Sequence, residues 1–328
     1  AGRMESIEVR KGSTQIKHGP FTTGGSLNYI STPIPSSKLN SVSLDIGSFG
    51  KTLMQVRSGD VLGNFAYLIE LYSDKTDGFK ELDGGGDTGY GKTDFMTKLR
   101  YSFSESHALE LKYSMTDELS DETYLGLTDA DFSENPLRRY RATALDEMDA
   151  DHSQIMLSYA AKLNDNMSLA VVGYSNDFAR NWYKLNKVNG MSLSSISKPT
   201  ADGWNEFYLL MNAENSADDA YRIKANNREY YSSGIQAVFN VLAGDHDIQA
   251  GLRIHSDEMD RFQWEDRYGM QSGQLVMTTQ ATKGSDSNRI DSAEATALFV
   301  EDRFTTGAMT ITAGAVSYTH LRAHETNV

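Results

Sequence analysis

Polar and apolar residues alternate with a period of two along most of the chain. In the segment 92–103, Phe95 and Leu99 share one parity, whereas the charged residues Asp94 and Lys98 share the other. This period places neighbouring side chains on opposite faces of an extended strand. A helix would bring the charged residues onto its apolar side, so the pattern predicts β-strands with one apolar and one polar face.

The alternation recurs eleven times and is interrupted by connections of two lengths. The predicted strands span 40–48, 52–58, 63–72, 92–103, 108–116, 152–162, 167–179, 232–242, 247–255, 293–304 and 309–314. Five connections are short and rich in the Gly, Asn, Asp and Ser that suit tight hairpin turns: 59–62, 104–107, 163–166, 243–246 and 305–308. Four connections are long: 73–91, 117–151, 180–231 and 256–292.

The order of these connections favours one architecture. After the second predicted strand, short and long connections follow one another strictly in turn. Short turns at one end and long loops at the other are typical of a transmembrane β-barrel, whereas a soluble sandwich keeps most of its loops short. The sequence therefore predicts an all-β fold, a transmembrane antiparallel β-barrel.

Composition excludes several other classes of protein. The chain has 45 acidic and 31 basic residues, a formal net charge of −14 that argues against nucleic acid as a partner. It has no cysteine, which excludes disulfides, thiolate catalysis and cysteine-based zinc sites. No apolar run reaches the roughly 18 residues of a membrane-spanning helix. No signal peptide is visible, and we expect the chain to lack the natural start of a secreted protein.

The first 38 residues do not follow the strand rhythm and are rich in turn glycines. Three linked motifs occur there: IEVRKG at 7–12, HGP at 18–20 and GGSLNYI at 24–30. Together they resemble the end of the plug domain in TonB-dependent receptors, bacterial outer-membrane proteins that take up iron chelates. His18 stands where an aromatic residue is commoner in that family.

The resemblance implies three parts in the chain. Residues 1–38 would be the end of a plug domain and residues 39–315 the N-terminal half of a barrel, about 11 of its roughly 22 strands. Residues 316–328 look like an artefactual tail. The resemblance also implies the bacterial outer membrane, with lipid around the barrel. The TonB energy-coupling complex would act through a segment that precedes Ala1.

Two further segments resemble the ferric-citrate receptors more particularly: GLTDADF at 126–132 and NDFARNW at 176–182. The function implied is energised uptake of ferric citrate or another ferric siderophore into the periplasm. Iron would enter only as part of the transported chelate, and no cofactor is expected. The alternatives are a passive porin-like barrel and an adhesive barrel without coupled transport, neither of which needs the glycine-rich N-terminal segment.

Arginines are the main candidates for ligand binding. Arg138, Arg139 and Arg141 lie in the second long connection among many carboxylates. Their forked donors match the carboxylates of an anionic chelate, although they could instead merely balance neighbouring charge. Arg180 and Trp182 are the second candidate, where a predicted strand enters the longest connection. An interfacial girdle of aromatic residues is the competing interpretation there.

The N-terminal motifs supply the remaining candidates. The resemblance implies that Glu8 and Arg10 pair with charges on the barrel wall and hold the plug, and solvated strand charges are the alternative. The plug-motif glycines are expected to serve the backbone rather than to touch a ligand: Gly12, Gly19, Gly24 and Gly25. No catalytic or metal-binding residues are expected, and the chain is predicted not to be an enzyme. The acidic residues that follow His255 are expected to form a solvated loop.

Overall fold

The computed structural model describes residues 4–11, 24–195, 198–200 and 202–325. Strands dominate these residues, and short helices occur only in the connections, among them α1 (Asp129–Glu134) and α2 (Trp204–Leu210). The strands in chain order are β1 (Met4–Arg10), β2 (Ser26–Ser31), β3 (Leu39–Ile46), β4 (Thr52–Leu62), β5 (Phe65–Thr76), β6 (Glu81–Leu82), β7 (Tyr90–Ser104), β8 (His107–Ser120), β9 (Arg138–Arg139), β10 (Glu147–Asn164), β11 (Met167–Val188), β12 (Met191–Ser192), β13 (Tyr221–Ala243), β14 (His246–Gln271), β15 (Gln274–Thr279), β16 (Asp286–Thr306) and β17 (Met309–Glu325).

Eleven of these strands form the path of one antiparallel sheet. Each pairs with its neighbours along the chain, in the order β3–β4–β5–β7–β8–β10–β11–β13–β14–β16–β17. The short strands β12 and β15 extend the sheet by pairing with β11 and β14. The predicted all-β antiparallel meander is confirmed. Among the described residues the sheet does not close on itself, because β3 and β17 end the path without pairing to each other.

Several strands are longer than the sequence predicts. The ladder of β11 runs to Val188, β13 begins at Tyr221 and β14 ends at Gln271, all inside segments predicted as long connections. The predicted ends of these strands are therefore wrong. Next to the apolar stretches, as at Arg180 and Asn181, both faces are polar, so the alternation that identifies a strand is interrupted there. Backbone pairing continues regardless, because N–H and C=O groups hold the ladder whatever the side chains are.

The two faces of the main sheet differ in polarity. Residues directly opposite one another on successive strands form a row across the sheet. On the face that we call outer, one such row is apolar across six strands: Leu99, Leu111, Leu157, Gly173, Ile235 and Ile254. Its leucines and isoleucines are partly to substantially exposed, so this face is not packed against another layer of the described residues. The inner face carries charged residues instead, such as Asp94, Lys98 and Arg100. In the part of the chain described, no helix is long and apolar enough to cross a membrane.

The two N-terminal strands pair with each other, and the residues at and after the end of β2 contact the inner face of the main sheet. β1 and β2 pair antiparallel, separately from the main sheet. The following segment is anchored where Lys98 Nζ donates to the Ser31 carbonyl oxygen at 3.3 Å, and Ser31 is buried there. A Cβ on Gly59 would lie 2.7 Å from the Pro35 ring, so this glycine makes room for the N-terminal linker, the segment that connects β2 to β3. Residues 31–35 therefore lie against the inner face.

The long connections pack together instead of standing free in solvent. Their apolar cluster is fully buried and joins side chains from connections and strand ends: Tyr140, Leu185, Phe207, Met211, Tyr221 and Met270. We call residues 121–146 and the described residues of 202–220 the loop cap. The cap is built by packing of the kind found in a protein core.

The last described residues continue the sheet. β17 pairs with β16 without interruption as far as Glu325, opposite Ile290. The strand shows no break at the boundary predicted at 315/316. Backbone pairing explains this continuity, since it depends little on which side chains the strand carries. An artefactual origin of residues 316–328 stays a prediction.

Candidate functional site

Four arginines lie directly opposite one another on four adjacent strands. The register pairs Arg180 of β11 with Arg228 of β13. It pairs Arg228 with Arg261 of β14, and Arg261 with Arg289 of β16. Directly opposite residues share one face of a sheet, with Cβ atoms about 4.5–5.5 Å apart. We call these four residues the arginine row.

The arginine row lies on the inner face. On the other side of Arg180, the residues directly opposite on successive strands are Ala150, Glu118 and Lys92, so all of them share its face. Lys92 and Lys98 both belong to β7, and their even separation puts their side chains on the same face. The row therefore shares the face that holds the N-terminal linker.

The positive charges of the arginine row are balanced by few carboxylates of the protein itself. Among the described residues, only Arg289 of the four has a carboxylate within ion-pair distance, with Nε 2.8 Å from Asp291 Oδ2. The Nε atoms of Arg228 and Arg261 are buried without a hydrogen-bond partner. Like charges directly opposite destabilise a sheet, and buried donors without partners are rare. The row is therefore suited to the oxygen atoms of an anionic ligand.

Next to the arginine row, the two faces of the sheet carry charges of opposite sign. The adjacent register row points to the outer face and is acidic at four of its positions: Asp117, Asp151, Glu229 and Asp260. The formal charge of −14 therefore does not prevent a locally positive potential on the inner face.

Two aromatic pairs flank Arg180 of the arginine row, one on each side along β11. On one side Phe178 lies opposite Tyr230, with ring centroids 5.8 Å apart and an interplanar angle of 26°. On the other side Trp182 packs on Tyr124 at 4.1 Å and 32°. Lys184 Nζ lies 3.2 Å from the centroid of the Tyr124 ring. The predicted candidates Arg180 and Trp182 thus lie on one face, inside β11 and not at its end.

Two of the arginines predicted in the second long connection link parts of the loop cap. Arg138 Nε lies 2.9 Å from Asp83 Oδ2, and its Nη1 lies 2.5 Å from Asp131 Oδ1. Arg141 forms an ion pair with Glu214. Both guanidinium groups remain partly exposed, so a role toward the ligand stays a prediction for them.

Arg139 is buried, with 3% of its surface exposed. Its Nη1 donates to the Asp121 carbonyl oxygen at 2.6 Å, and its Nη2 donates to those of Thr143 and Asp146 at 2.6 and 2.9 Å. Its Nε donates to Thr143 Oγ1 at 3.1 Å. These bonds join the two ends of the connection between β8 and β10, which gives Arg139 a structural role, and its predicted role toward a ligand stays a prediction.

Asp131 is a second polar centre of the loop cap. Thr128 caps α1 by accepting from the Asp131 amide. The Asp131 carboxylate accepts hydrogen bonds from Tyr140 Oη at 2.6 Å and Tyr208 Oη at 2.8 Å. Burial acts to raise the pKa of Asp131, but the hydrogen bonds from Tyr140, Thr128 and Tyr208 and the charge of Arg138 outweigh it and lower that pKa.

Asp146 is buried beside Arg139 and behaves differently. Its carboxylate accepts from Thr123 Oγ1 and from the Leu185 amide, both at 2.6 Å. Burial raises the pKa of Asp146 to about 7, against the opposing effects of these two bonds and of Arg139. The loop cap therefore contains a carboxyl group that titrates near neutral pH.

The plug-motif residues are described in part. Arg10 Nη2 lies 3.0 Å from Glu8 Oε2, and pairing of either residue with the barrel wall stays a prediction. Gly25 has a φ of +136°, and a Cβ there would lie 2.9 Å from the Arg10 carbonyl oxygen, which supports a backbone role. Gly24 lies in the turn before β2. Gly12 and Gly19 lie outside the described residues.

The sequence missed Arg228, Arg261 and Arg289 as site residues. Each has the inner-face parity of its strand, but the predicted strands start after Arg228 and Arg289 and end before Arg261. The acidic residues after His255 are placed differently from their prediction, because β14 continues through Asp257, Glu258 and Asp260. His255 lies in β14 as predicted, with its Nδ1 2.8 Å from Tyr174 Oη. Within the described ranges, no group of three or more His, Cys, Asp or Glu residues could hold a metal ion.

Comparison with known proteins identifies the fold. No family model and no curated protein matches the chain. The ferric citrate transporter FecA, in its unliganded form, is 18% identical over 99% of this chain and 45% of that one, with a TM-score of 0.69. The ferric-catecholate import receptor Fiu from E. coli K12, in its open form, is 14% identical over 98% and 50%, with a TM-score of 0.73.

The copper transporter OprC is also similar, 12% identical over 97% of this chain and 44% of that one, with a TM-score of 0.64. At these identities the likeness establishes the fold alone, since one fold serves many ligands. The chain spans about half the length of these structures.

Proposed function

We propose that this chain forms part of a TonB-dependent outer-membrane receptor that takes up an anionic ferric chelate into the periplasm. The arginine row carries this proposal. It places four guanidinium groups on the inner face of a sheet whose fold is shared with a ferric citrate transporter and a ferric-catecholate import receptor. The protein acts as a receptor and transporter, and not as an enzyme.

The arginine row binds the chelate by charge-assisted hydrogen bonds. Guanidinium donors match pairs of anionic oxygens in a two-point geometry. A bound anion also offsets the repulsion among the four arginines. The inner-face potential attracts the anion, and the outer acidic row lies on the other side of the sheet.

The N-terminal segment supports coupled transport over passive flow. We take residues 1–38 as the end of a plug and residues 39–315 as barrel wall. The Lys98 contact with Ser31 holds the linker between them against the inner face. A passive porin or an adhesive barrel has no need of such a segment. Energy from the TonB complex would act on the plug and release the chelate inward.

Substitution of the arginine row tests the binding site. Arg228→Gln combined with Arg261→Gln, in the complete protein in iron-starved cells, is expected to weaken chelate binding by roughly a hundredfold, since each charge-assisted bond contributes about 1.5–3 kcal/mol. Arg303→Gln, an exposed arginine on the same face of β16, is the matched control and should bind normally. Unchanged binding by the double variant would refute the site.

Removal of TonB tests the transport class. Uptake of radioactive iron chelate through the complete protein should cease in cells without TonB, although binding at the cell surface should persist. A passive porin would let the chelate enter at the same rate with and without TonB. Binding without uptake in both strains would instead favour an adhesive barrel.

A further inference from the structure

Aromatic rings lie on both sides of Arg180 in the arginine row, and this arrangement bears on which anion the row accepts. Phe178 and Trp182 lie two residues from Arg180 in opposite directions along β11, about 6.6 Å each way at the rise of a strand. All three side chains share the inner face. Tyr230 and Tyr124 extend the two aromatic layers to either side. A ligand on Arg180 therefore contacts rings on both sides along the strand.

Building on the proposed function, we infer that the arginine row and the Phe178–Tyr230 and Tyr124–Trp182 pairs select a ferric chelate whose iron-binding oxygens are borne on aryl rings. Phenolates and catecholates combine anionic oxygen with a flat ring. The oxygens suit the guanidinium groups, and the rings can stack on aromatic side chains and on guanidinium planes. An aliphatic carboxylate chelate uses only the arginines.

The arrangement of polar groups agrees with this assignment. Arg228 Nη1 donates to Tyr230 Oη at 3.3 Å, so one arginine is already held beside a ring. Trp182 is fixed by the donation of its Nε1 to the Glu122 carbonyl oxygen at 3.2 Å. Lys184 adds a cation next to Tyr124 and Trp182, with Nζ 5.4 Å from the Trp182 ring centroid. The aromatic layers are thus positioned before any ligand arrives.

Two iron complexes separate the roles of charge and ring. The complete protein in detergent is titrated with the iron(III) complex of 2,3-dihydroxybenzoate and, separately, with ferric citrate. Phe178→Leu combined with Trp182→Leu removes both rings and keeps apolar bulk. We expect this variant to lose about tenfold or more in affinity for the dihydroxybenzoate complex and to bind ferric citrate as before.

Control variants guard against misfolding. Phe178→Tyr combined with Trp182→Phe keeps the rings and should bind the dihydroxybenzoate complex within about twofold of the wild type. Phe103→Leu, an exposed outer-face residue of β7, should change neither affinity. Loss of dihydroxybenzoate binding in the ring-retaining variant as well would overturn the inference, because the rings would then not be the cause.

The outcomes also separate this inference from the proposed function. If the leucine variant weakens both complexes equally, or neither, the preference for aryl chelates is wrong. If the Arg228→Gln and Arg261→Gln variant still loses affinity in that case, the anionic chelate site stands without the preference. If the arginine variant binds both complexes normally, the site itself is wrong and the inference fails with it.

Discussion

Arg139 shows how a residue can match a ligand-binding pattern and yet be used by the fold. It is a cation in a loop rich in carboxylates, but its donors go to three backbone carbonyl oxygens and one hydroxyl of the same loop. Arg138 and Arg141 differ, because they pair with side chains and keep part of their surface exposed. A chelate that reaches the loop cap would therefore meet these two residues first.

Replacing Arg139 should open the loop cap. Arg139→Leu leaves those carbonyl oxygens buried without donors, which we expect to cost on the order of 3 kcal/mol in the local opening free energy of residues 121–146. Hydrogen exchange of these amides measures it, with Arg303→Leu as the exposed control. Normal exchange together with lost chelate binding would instead identify Arg139 as a ligand residue.

Asp146 makes the loop cap sensitive to pH. Its folded-state pKa of about 7 is above the ordinary 3.8, so the folded cap holds a proton that the open cap releases. Binding of this proton stabilises the closed cap. The stabilisation is complete below about pH 4 and is lost as pH rises to about 7. We expect the amides of residues 121–146 to open more readily at pH 8 than at pH 5, after correction for intrinsic exchange rates.

Asp146→Asn is the matched variant for this pH dependence. It keeps an uncharged group of the same shape, so cap opening should be nearly independent of pH between 5 and 8. Wild-type protection that rises between pH 5 and pH 8 would show that the carboxylate is ionised in the folded cap. The assigned direction of the pKa shift would then be wrong.

At the scale of the strands, one glycine lets a tyrosine cross its neighbouring strand. Tyr174 of β11 passes over Gly234 of β13 to reach β14, where its Oη accepts from Arg253 Nη2 at 2.9 Å and lies 2.8 Å from His255 Nδ1. A Cβ on Gly234 would lie 2.6 Å from Tyr174 Oη and 2.6 Å from the Ile254 carbonyl oxygen. The close approach of these groups requires glycine.

Gly234→Ala should therefore destabilise the sheet. The added methyl group must displace the tyrosine or the backbone, at an expected cost of about 1–3 kcal/mol in the free energy of unfolding. Gly173→Ala is the matched control, because nothing lies within 4 Å of a Cβ at that position of β11. Urea unfolding of the complete protein in detergent measures both. Equal stability of the two variants would show that Tyr174 moves aside without cost.

At the scale of the whole molecule, the two faces of the sheet meet different surroundings. Leu157 belongs to the apolar outer row, and Met156 next to it in β10 points to the inner face. If lipid covers the outer face, Leu157→Arg places a charge in hydrocarbon and should cost about 2–4 kcal/mol. Met156→Arg should cost much less. Folding into lipid vesicles measures the pair, and a greater cost for Met156→Arg would reverse the assignment of the faces.

The sequence predicts those features of the structure that depend on residues close together in the chain. Alternation is a property of neighbouring residues, so it is enough to predict eleven strands, their turns and their two faces. The same reasoning fails in the parts of β11, β13 and β14 around Arg180, Arg228 and Arg261, where both faces are polar and no contrast marks the strand. Arg180 could be chosen as a candidate because it lies close to an identified strand.

The rest of the arginine row depends on register. Arg228, Arg261 and Arg289 meet Arg180 only because three hairpins align four strands at the same residue, and a shift of one position would turn a strand's side chains to the other face. The packing of the loop cap likewise decides that Arg139 is buried. The sequence by itself therefore determined the strands and the polarity of their faces. Only the tertiary structure decided which charges stand together, because long-range pairing brings them there.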